Sequence, residues 1–346
     1  HNGDYDLATR LVDAAHIAGA DIVKFQTFTA KKLVTKHAQQ ATYQSVNTGK
    51  PESQFDMLSR LELSYEDHHR LVAHCNKLGI EFLSTAFDSE SLNFLVHDLK
   101  MSRLKIASGE LTNAPLVLEH AKTQCQLIVS TGMATLAEIE TALGVIAFGY
   151  TASATILPSL EAFSVAYASE AGQRALRDKV TLLHCTTEYP APIAEVNLRA
   201  MNALKSTFGL VSGYSDHTAG INIPIAAAAL GAVIIEKHFT LDRNLEGPDH
   251  KASLEPDELK AMITAIREVE LALGDGIKRP TQSESKNKGV ARKSIVAACD
   301  IRKGEIFSVN NIAVKRPGTG KSPYLYWRVL GAQATRALKA GELLDE

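Results

Sequence analysis

The sequence predicts an α/β chain, a TIM (β/α)8 barrel over residues 1–274 followed by a small β-rich domain. Three observations carry this. Seven apolar strand-like runs alternate with helical stretches, each run ends in polar or ionisable residues, and beyond residue 288 the pattern changes to short strands and turns. The carboxyl ends of barrel strands share one rim, so polar residues recurring there describe a single site.

A length of 346 residues suits one barrel of about 250 residues plus a smaller module. With 37 basic and 39 acidic residues and no basic stripe, nucleic acid is excluded as a partner. No apolar run approaches the ~18–20 residues of a membrane span. Cys75, Cys125, Cys185 and Cys299 are scattered without CxxC spacing and read as free thiols. With no signal peptide visible, a cytoplasmic location is expected.

The chain opens on HisAsnGlyAsp directly before a helix. That opening predicts residues upstream, carrying the barrel's first strand, and a chain without that strand is expected to fold poorly because its edges stay unpaired. Asp4 is the N-cap of the first helix, whose apolar Leu7, Leu11, Ala14, Ala15 and Ala18 keep helical spacing up to Gly19. The strand AlaAspIleValLysPheGln (20–26) follows, then a long polar connection over 29–62 of the kind that covers a binding site.

Regular units come next: helix 66–78 and strand 80–85, helix 89–98 and strand 103–108, helix 114–122 and strand 126–131. Helix 135–148 leads into an Ala/Ser-rich insertion at 150–178, read as extra helix on the exterior. Strand 180–186, helix 194–205, strand 209–215, helix 219–230, strand 232–238 and helix 255–273 complete the barrel pattern. Residues 275–288 read as a polar linker without periodicity, and 289–346 as the small domain. There AspIleArgLysGlyGluIle (300–306) echoes AlaLeuLysAlaGlyGluLeu (337–343), suggesting two similar turn-strand units.

Lys24, Thr85, Lys105, Ser108, Ser130 and Ser215 all stand at predicted strand ends. Two ammonium groups among hydroxyl donors suit a dianion together with a carboxylate, unless each lysine pairs with a barrel carboxylate such as Glu110. Glu110 itself is either a site residue or part of a helix cap with Thr112 or Asn113. His217 and His238 end consecutive strands, with Asp216 and Glu236 as strand-end carboxylates. Neighbouring strands lie about 4.8 Å apart, so the imidazoles can share one divalent ion with open positions for water and substrate. His184 reads as a core residue, and His16, His68, His69 and His74 as surface residues. Asp249, in the Gly-Pro loop at 246–251, can accept hydrogen bonds from a polyol or belong to a plain turn. Arg316, on the ValLysArgProGlyThrGly loop (314–320), suits an amide carbonyl or carboxylate.

HisAsnGlyAsp, ValLysPheGlnThr, SerThrAlaPhe, LysIleAlaSerGlyGlu, SerThrGlyMet, LeuHisCysThrThrGluTyrPro, GlyTyrSerAspHisThr, GluLysHisPheThr, GlyProAspHis and LysArgProGlyThrGly occur in this order. Together they resemble the sialic acid synthase family, the phosphoenolpyruvate-condensing nonulosonate synthases, over effectively the whole chain, and the last 60 or so residues resemble that family's antifreeze-like SAF domain. The resemblance implies condensation of phosphoenolpyruvate with the open-chain aldehyde of an N-acetylated hexosamine, phosphate leaving by C–O cleavage. It implies that Lys24, Thr85, Lys105, Ser108, Ser130 and Ser215 hold phosphoenolpyruvate. His217 and His238 would bind a divalent metal, Mn²⁺ first and Mg²⁺ or Co²⁺ as alternatives, with Glu236 and Asp216 nearby. Tyr189 and Asp249 would meet the sugar, and Arg316 would reach the N-acetyl group in the neighbouring protomer of a domain-swapped homodimer. His217, His238, Glu236 and Lys105 are the expected catalytic set.

Thr187 and Glu188 stand where some neuraminate synthases carry Asn and an apolar residue. Both N-acetylmannosamine and a 2,4-diacetamido-6-deoxymannose leading to legionaminate therefore remain as acceptors. A synthase of 3-deoxy sugar acids using a phosphorylated aldose would want more rim Arg or Lys. A catalytically inactive sugar-binding homologue would not need the paired lysines and histidines.

Overall fold

The computed structural model describes residues 1–49 and 52–344. They divide into two compact units, His1–Leu273 and Gly274–Glu346.

In the first unit, α1 (Tyr5–Ala18) begins where the Asp4 side chain accepts from the Leu7 amide, stops at Gly19, and buries Ala8, Leu11, Val12, Ala15 and Ala18. β1 (Ile22–Thr27) follows. The long connection holds α2 (Ala30–Leu33), α3 (Thr42–Thr48) and α4 (Gln54–Ser59), and its residues 50 and 51 lie outside the described residues. Next come α5 (Tyr65–Leu78), β2 (Glu81–Ala86) and α6 (Ser89–Asn93), which runs on into a wider π-helical turn, Phe94–Asp98. β3 (Arg103–Ile106), α7 (Ala114–Lys122), β4 (Gln126–Ser130) and α8 (Leu136–Thr151) continue the alternation. The insertion forms two helices, α9 (Leu160–Ala168) and α10 (Glu170–Lys179).

β5 (Val180–Cys185) precedes α11 (Ala200–Phe208). The helix expected from residue 194 begins later, because Asn197 at φ 47° turns the chain out of the helical region. β6 (Val211–Asp216), α12 (Asn222–Ala229), β7 (Ile235–Lys237) and α13 (Pro256–Leu273) complete the unit.

All seven strands are parallel and pair in chain order, β1 and β7 forming the two ends of the sheet. It is a TIM-type arrangement, with helices packed outside. The interior is layered. Leu83, Ile128 and Leu183 are buried together, with Ile22 and Ile234 packed against them. Burying such side chains stabilises the fold by roughly 1.5–3 kcal/mol each. Side chains alternate along a strand, so the next inward positions lie two residues further on. Those residues are Lys24, Thr85, Ser130, Cys185 and Glu236. The apolar layer is thus a floor, and the rim residues stand on it.

The second unit corrects the linker reading, because residues 275–288 contain most of a helix, α14 (Gln282–Ala291). Thr281 caps it, and Glu284 reaches back to the Thr281 amide at 2.8 Å. A capping box of this kind starts a helix even where the apolar period is weak. β8 (Ser294–Ala297) and β9 (Ile312–Lys315) pair antiparallel, and α15 (Tyr326–Val329) follows. The two echoing segments meet, each of Ile301 and Leu338 donating its amide to the other's carbonyl at 2.9 Å. Gly304 and Gly341 take φ 84° and 85° in the matching turns, a conformation that favours glycine. The end of the SAF stretch, residues 345 and 346, lies outside the described residues.

Candidate active site

Lys24 and Lys105 do not pair with Glu110. Both turn inward to Glu236, with Lys24 Nζ 3.3 Å from Oε2 and Lys105 Nζ 3.0 Å from Oε1. Ser215 Oγ donates to the same carboxylate at 2.7 Å. Burial by itself would push Glu236 up, but Lys105 and Lys24 and the hydroxyl outweigh it and hold the carboxyl well below its usual range. Lys24 is pushed down by burial, against the pull of Glu236. One carboxylate cannot neutralise two ammoniums, so the floor of the mouth favours an added anion.

Beside them the hydroxyls of Thr85, Ser130 and Thr187 are buried with no hydrogen-bond partner among the described residues. Buried polar groups are nearly always satisfied, so orphans gathered in one place mark a ligand subsite. Ser108 Oγ lies 3.1 Å from Cys185 Sγ and accepts from the Gly132 amide at 3.0 Å. A Cβ on Gly132 would stand 2.3 Å from Thr187 Oγ1 and 2.9 Å from Ser108 Oγ, so the SerThrGlyMet turn comes this close only as glycine. Thr187, absent from the sequence-derived anion set, joins it here. Glu110 instead accepts from Asn113 Nδ2 at 2.8 Å, at the cap of α7.

His217 and His238 meet edge to face with ring centroids 5.4 Å apart. His217 Nδ1 lies 2.6 Å from the Thr186 carbonyl, so this nitrogen carries the proton and Nε2 keeps its lone pair. Burial lowers the His217 pKa despite that carbonyl, and burial with the neighbouring His217 and Lys24 pushes His238 down to about 3. Both rings are therefore neutral. A ring whose second nitrogen donates to a carbonyl is the usual state of a metal ligand, so this donor set fits a divalent cation. No cluster of three or more His, Cys, Asp or Glu suited to a metal occurs among the described residues.

Tyr189 packs over both imidazoles, 4.2 Å from the His217 ring and 5.4 Å from that of His238. Asp249 Oδ2 is 3.7 Å from His238 Nδ1, and burial raises the carboxyl to about 6 against the pull of Lys24. A cavity of about 830 Å³ connects Lys24, Glu236, His238, Tyr189 and Asp249.

Two expectations are corrected. Asp216 is not beside the histidines, because the strand pleat sends it outward to Lys237 at 2.5 Å. His68 is fully buried rather than at the surface, bridging Thr27 Oγ1 and the Ser64 carbonyl, each at 2.9 Å. His184 is half-buried, its Nε2 2.7 Å from the Val196 carbonyl. Arg316 lies exposed in the second unit, its Nε donating to the Ala291 carbonyl at 3.1 Å.

The family model described as NeuB matches residues 11–278, and that of the SAF domain matches residues 292–346. The chain belongs to the NeuB family. Across all 346 residues this NeuB-family chain is 49% identical to N,N'-diacetyllegionaminic acid synthase of Campylobacter jejuni, of which it covers 96%. The protein of that name from Legionella pneumophila is 43% identical over 99% of this chain and 90% of its own length. Among solved structures, the sialic acid synthetase of Leptospira borgpetersenii in complex with citrate aligns with a TM-score of 0.66 at 31% identity, covering 83% of this chain and 86% of that one. No helix among the described residues is long and apolar enough to cross a membrane.

Proposed function

We propose that this chain condenses phosphoenolpyruvate, water and the open-chain aldehyde of an N-acetylated mannosamine to a nonulosonic acid and phosphate. Of the acceptors, 2,4-diacetamido-6-deoxymannose is favoured by the two relatives named for diacetyllegionaminic acid. The observation that carries the reading is the pair of ammoniums sharing one carboxylate beside three orphaned hydroxyls.

Lys24 and Lys105 hold the phosphate and carboxylate of phosphoenolpyruvate, and Thr85, Ser108, Ser130 and Ser215 fill its remaining acceptor positions. The C2=C3 π pair of phosphoenolpyruvate attacks the aldehyde carbon through C3, so that a C–C bond forms while the aldehyde π pair moves to oxygen, which takes up a proton. Positive charge develops at C2, where the ionised Glu236 stabilises it without reorganisation. Water adds to C2 and gives up a proton, which balances the one taken up at the aldehyde oxygen. The C2–O bond to phosphate breaks as the C2 carbonyl forms and its hydroxyl proton leaves with the phosphate. A divalent cation on His217 and His238, Mn²⁺ by preference, would polarise the aldehyde oxygen as a Lewis acid. Tyr189 and Asp249 line the acceptor side. Arg316 reaches the acceptor's N-acetyl group from a partner protomer in a domain-swapped homodimer, working in the cytoplasm.

The test incubates the chain with phosphoenolpyruvate, Mn²⁺ and each sugar while phosphate release is followed. Release with 2,4-diacetamido-6-deoxymannose above N-acetylmannosamine is expected. Release with arabinose 5-phosphate alone would point to a 3-deoxy-sugar-acid synthase, and no release with any sugar to a binding protein.

A further inference from the structure

Tyr43, on α3 in the long connection, packs on Tyr189 with ring centroids 5.0 Å apart and planes 35° from parallel. Tyr189 in turn covers the two imidazoles. The rings therefore form a series that leads outward from the histidines to Tyr189 and then to Tyr43. The position of Tyr43 is anchored. One turn further along α3, Asn47 Nδ2 donates to the Pro248 carbonyl at 2.7 Å, which ties the helix to the loop carrying Asp249. Tyr43, Tyr189, Pro248 and Asp249 line the same cavity as His238 and Lys24.

An acceptor whose aldehyde carbon lies at the imidazoles and phosphoenolpyruvate must send its remaining carbons outward past Tyr189. The end that reaches Tyr43 bears the C4 and C6 substituents. Aromatic faces take up methyl groups favourably, whereas a hydroxyl pressed on them loses water without gaining a partner. Burial also raises the Tyr43 phenol above its usual range, so it stays protonated and able to donate to an amide carbonyl.

We infer that Tyr43 is a specificity-determining residue, forming with Tyr189 an aromatic wall that selects acceptors carrying a C6 methyl and a C4 acetamido group over those with hydroxyls there. The inference rests on the condensation proposed above and adds to it the residue that chooses the sugar. An apolar subsite disfavours an isostere that merely adds a hydroxyl by about 100-fold, which is the difference between the two sugars at C6.

The experiment measures kcat/KM for 2,4-diacetamido-6-deoxymannose and for N-acetylmannosamine, and KM for phosphoenolpyruvate, in the full chain and in Tyr43→Ser, Tyr43→Leu and Tyr43→Phe. In Tyr43→Ser the preference for the diacetamido sugar should fall by about tenfold or more, through sugar KM, with phosphoenolpyruvate KM within about twofold of the parent. Tyr43→Phe should retain most of the preference. Tyr43→Leu, which keeps apolar bulk, decides the matter should the serine variant not fold. An unchanged preference ratio in the Ser and Leu variants overturns the inference, as does an equal loss of affinity for both substrates. Should the parent chain turn over neither sugar, the condensation reading falls first and takes this inference with it.

Discussion

Asp216 and Lys237 face each other across the last rung of β6 and β7, carboxylate and ammonium 2.5 Å apart and both side chains almost wholly buried. His217 and His238 follow them directly, on the inward side. Tyr214 and Thr218 also donate to Asp216, and Lys237 donates to the Thr218 carbonyl. This outer cluster holds the two strand ends at one height and so sets how the imidazoles meet.

Removing one partner of a buried pair leaves an uncompensated charge, which costs about 3–5 kcal/mol. Lys237→Met should lower the unfolding free energy by that amount in urea titrations, and the double variant with Asp216→Leu should recover much of it. A Lys237→Met protein as stable as the parent would show that the pair does not hold the strand ends.

Gly132→Ala should damage the anion subsite. The added Cβ would collide with Thr187 Oγ1 and crowd Ser108 Oγ. Forcing a methyl into a packed site costs about 1–3 kcal/mol, so calorimetry should show phosphoenolpyruvate binding weakened by about tenfold or more. Unaltered binding would place the anion elsewhere.

His217→Ala and His238→Ala each remove one of the two ring nitrogens that would hold the cation. Each should abolish metal-dependent turnover, and paramagnetic resonance should show Mn²⁺ remaining free in solution. Parent-like rates in either variant would remove the metal assignment.

Stability should fall in mild acid. Burial holds the folded-state pKa of His68 and His120 below that of a free imidazole, whereas the unfolded chain takes up these protons near pH 6.5. Below that pH the unfolded state binds more protons, so the loss begins as pH drops through about 6.5 and deepens toward the folded pKa values. Each histidine adds up to about 1.4 kcal/mol per pH unit to the slope. His120→Leu should flatten unfolding free energies measured between pH 6.5 and 5, and an undiminished slope would mean that this ring is not buried neutral.

Arg316→Ala should raise the KM for the sugar while leaving that for phosphoenolpyruvate in place. Equal weakening of both would contradict a role at the acceptor's N-acetyl group.

Much of this site was legible before any coordinates. Thr85, Lys105, Ser130, Ser215, Glu236, His217 and His238 sit at or near strand ends and Lys24 lies within β1, and strands and their ends are a local property of apolar runs and the residues that stop them. Helix boundaries at Asp4 and Gly19 were readable for the same reason, since caps act within one turn, and of Thr112 and Asn113 the structure selects Asn113. What tertiary structure alone decided is who meets whom. Lys105 and Glu236 are 131 residues apart in the chain, and no periodicity says that this carboxylate, rather than Glu110, pairs with both lysines. The pleat at the end of β6 turned Asp216 outward, and the packing of α5 buried His68. Contact between Tyr43 and Tyr189 likewise arises from the folding of an irregular connection, where hydrophobic spacing carries no signal. Local chemistry sets which residues reach the rim, and burial and register set the charge each of them holds there.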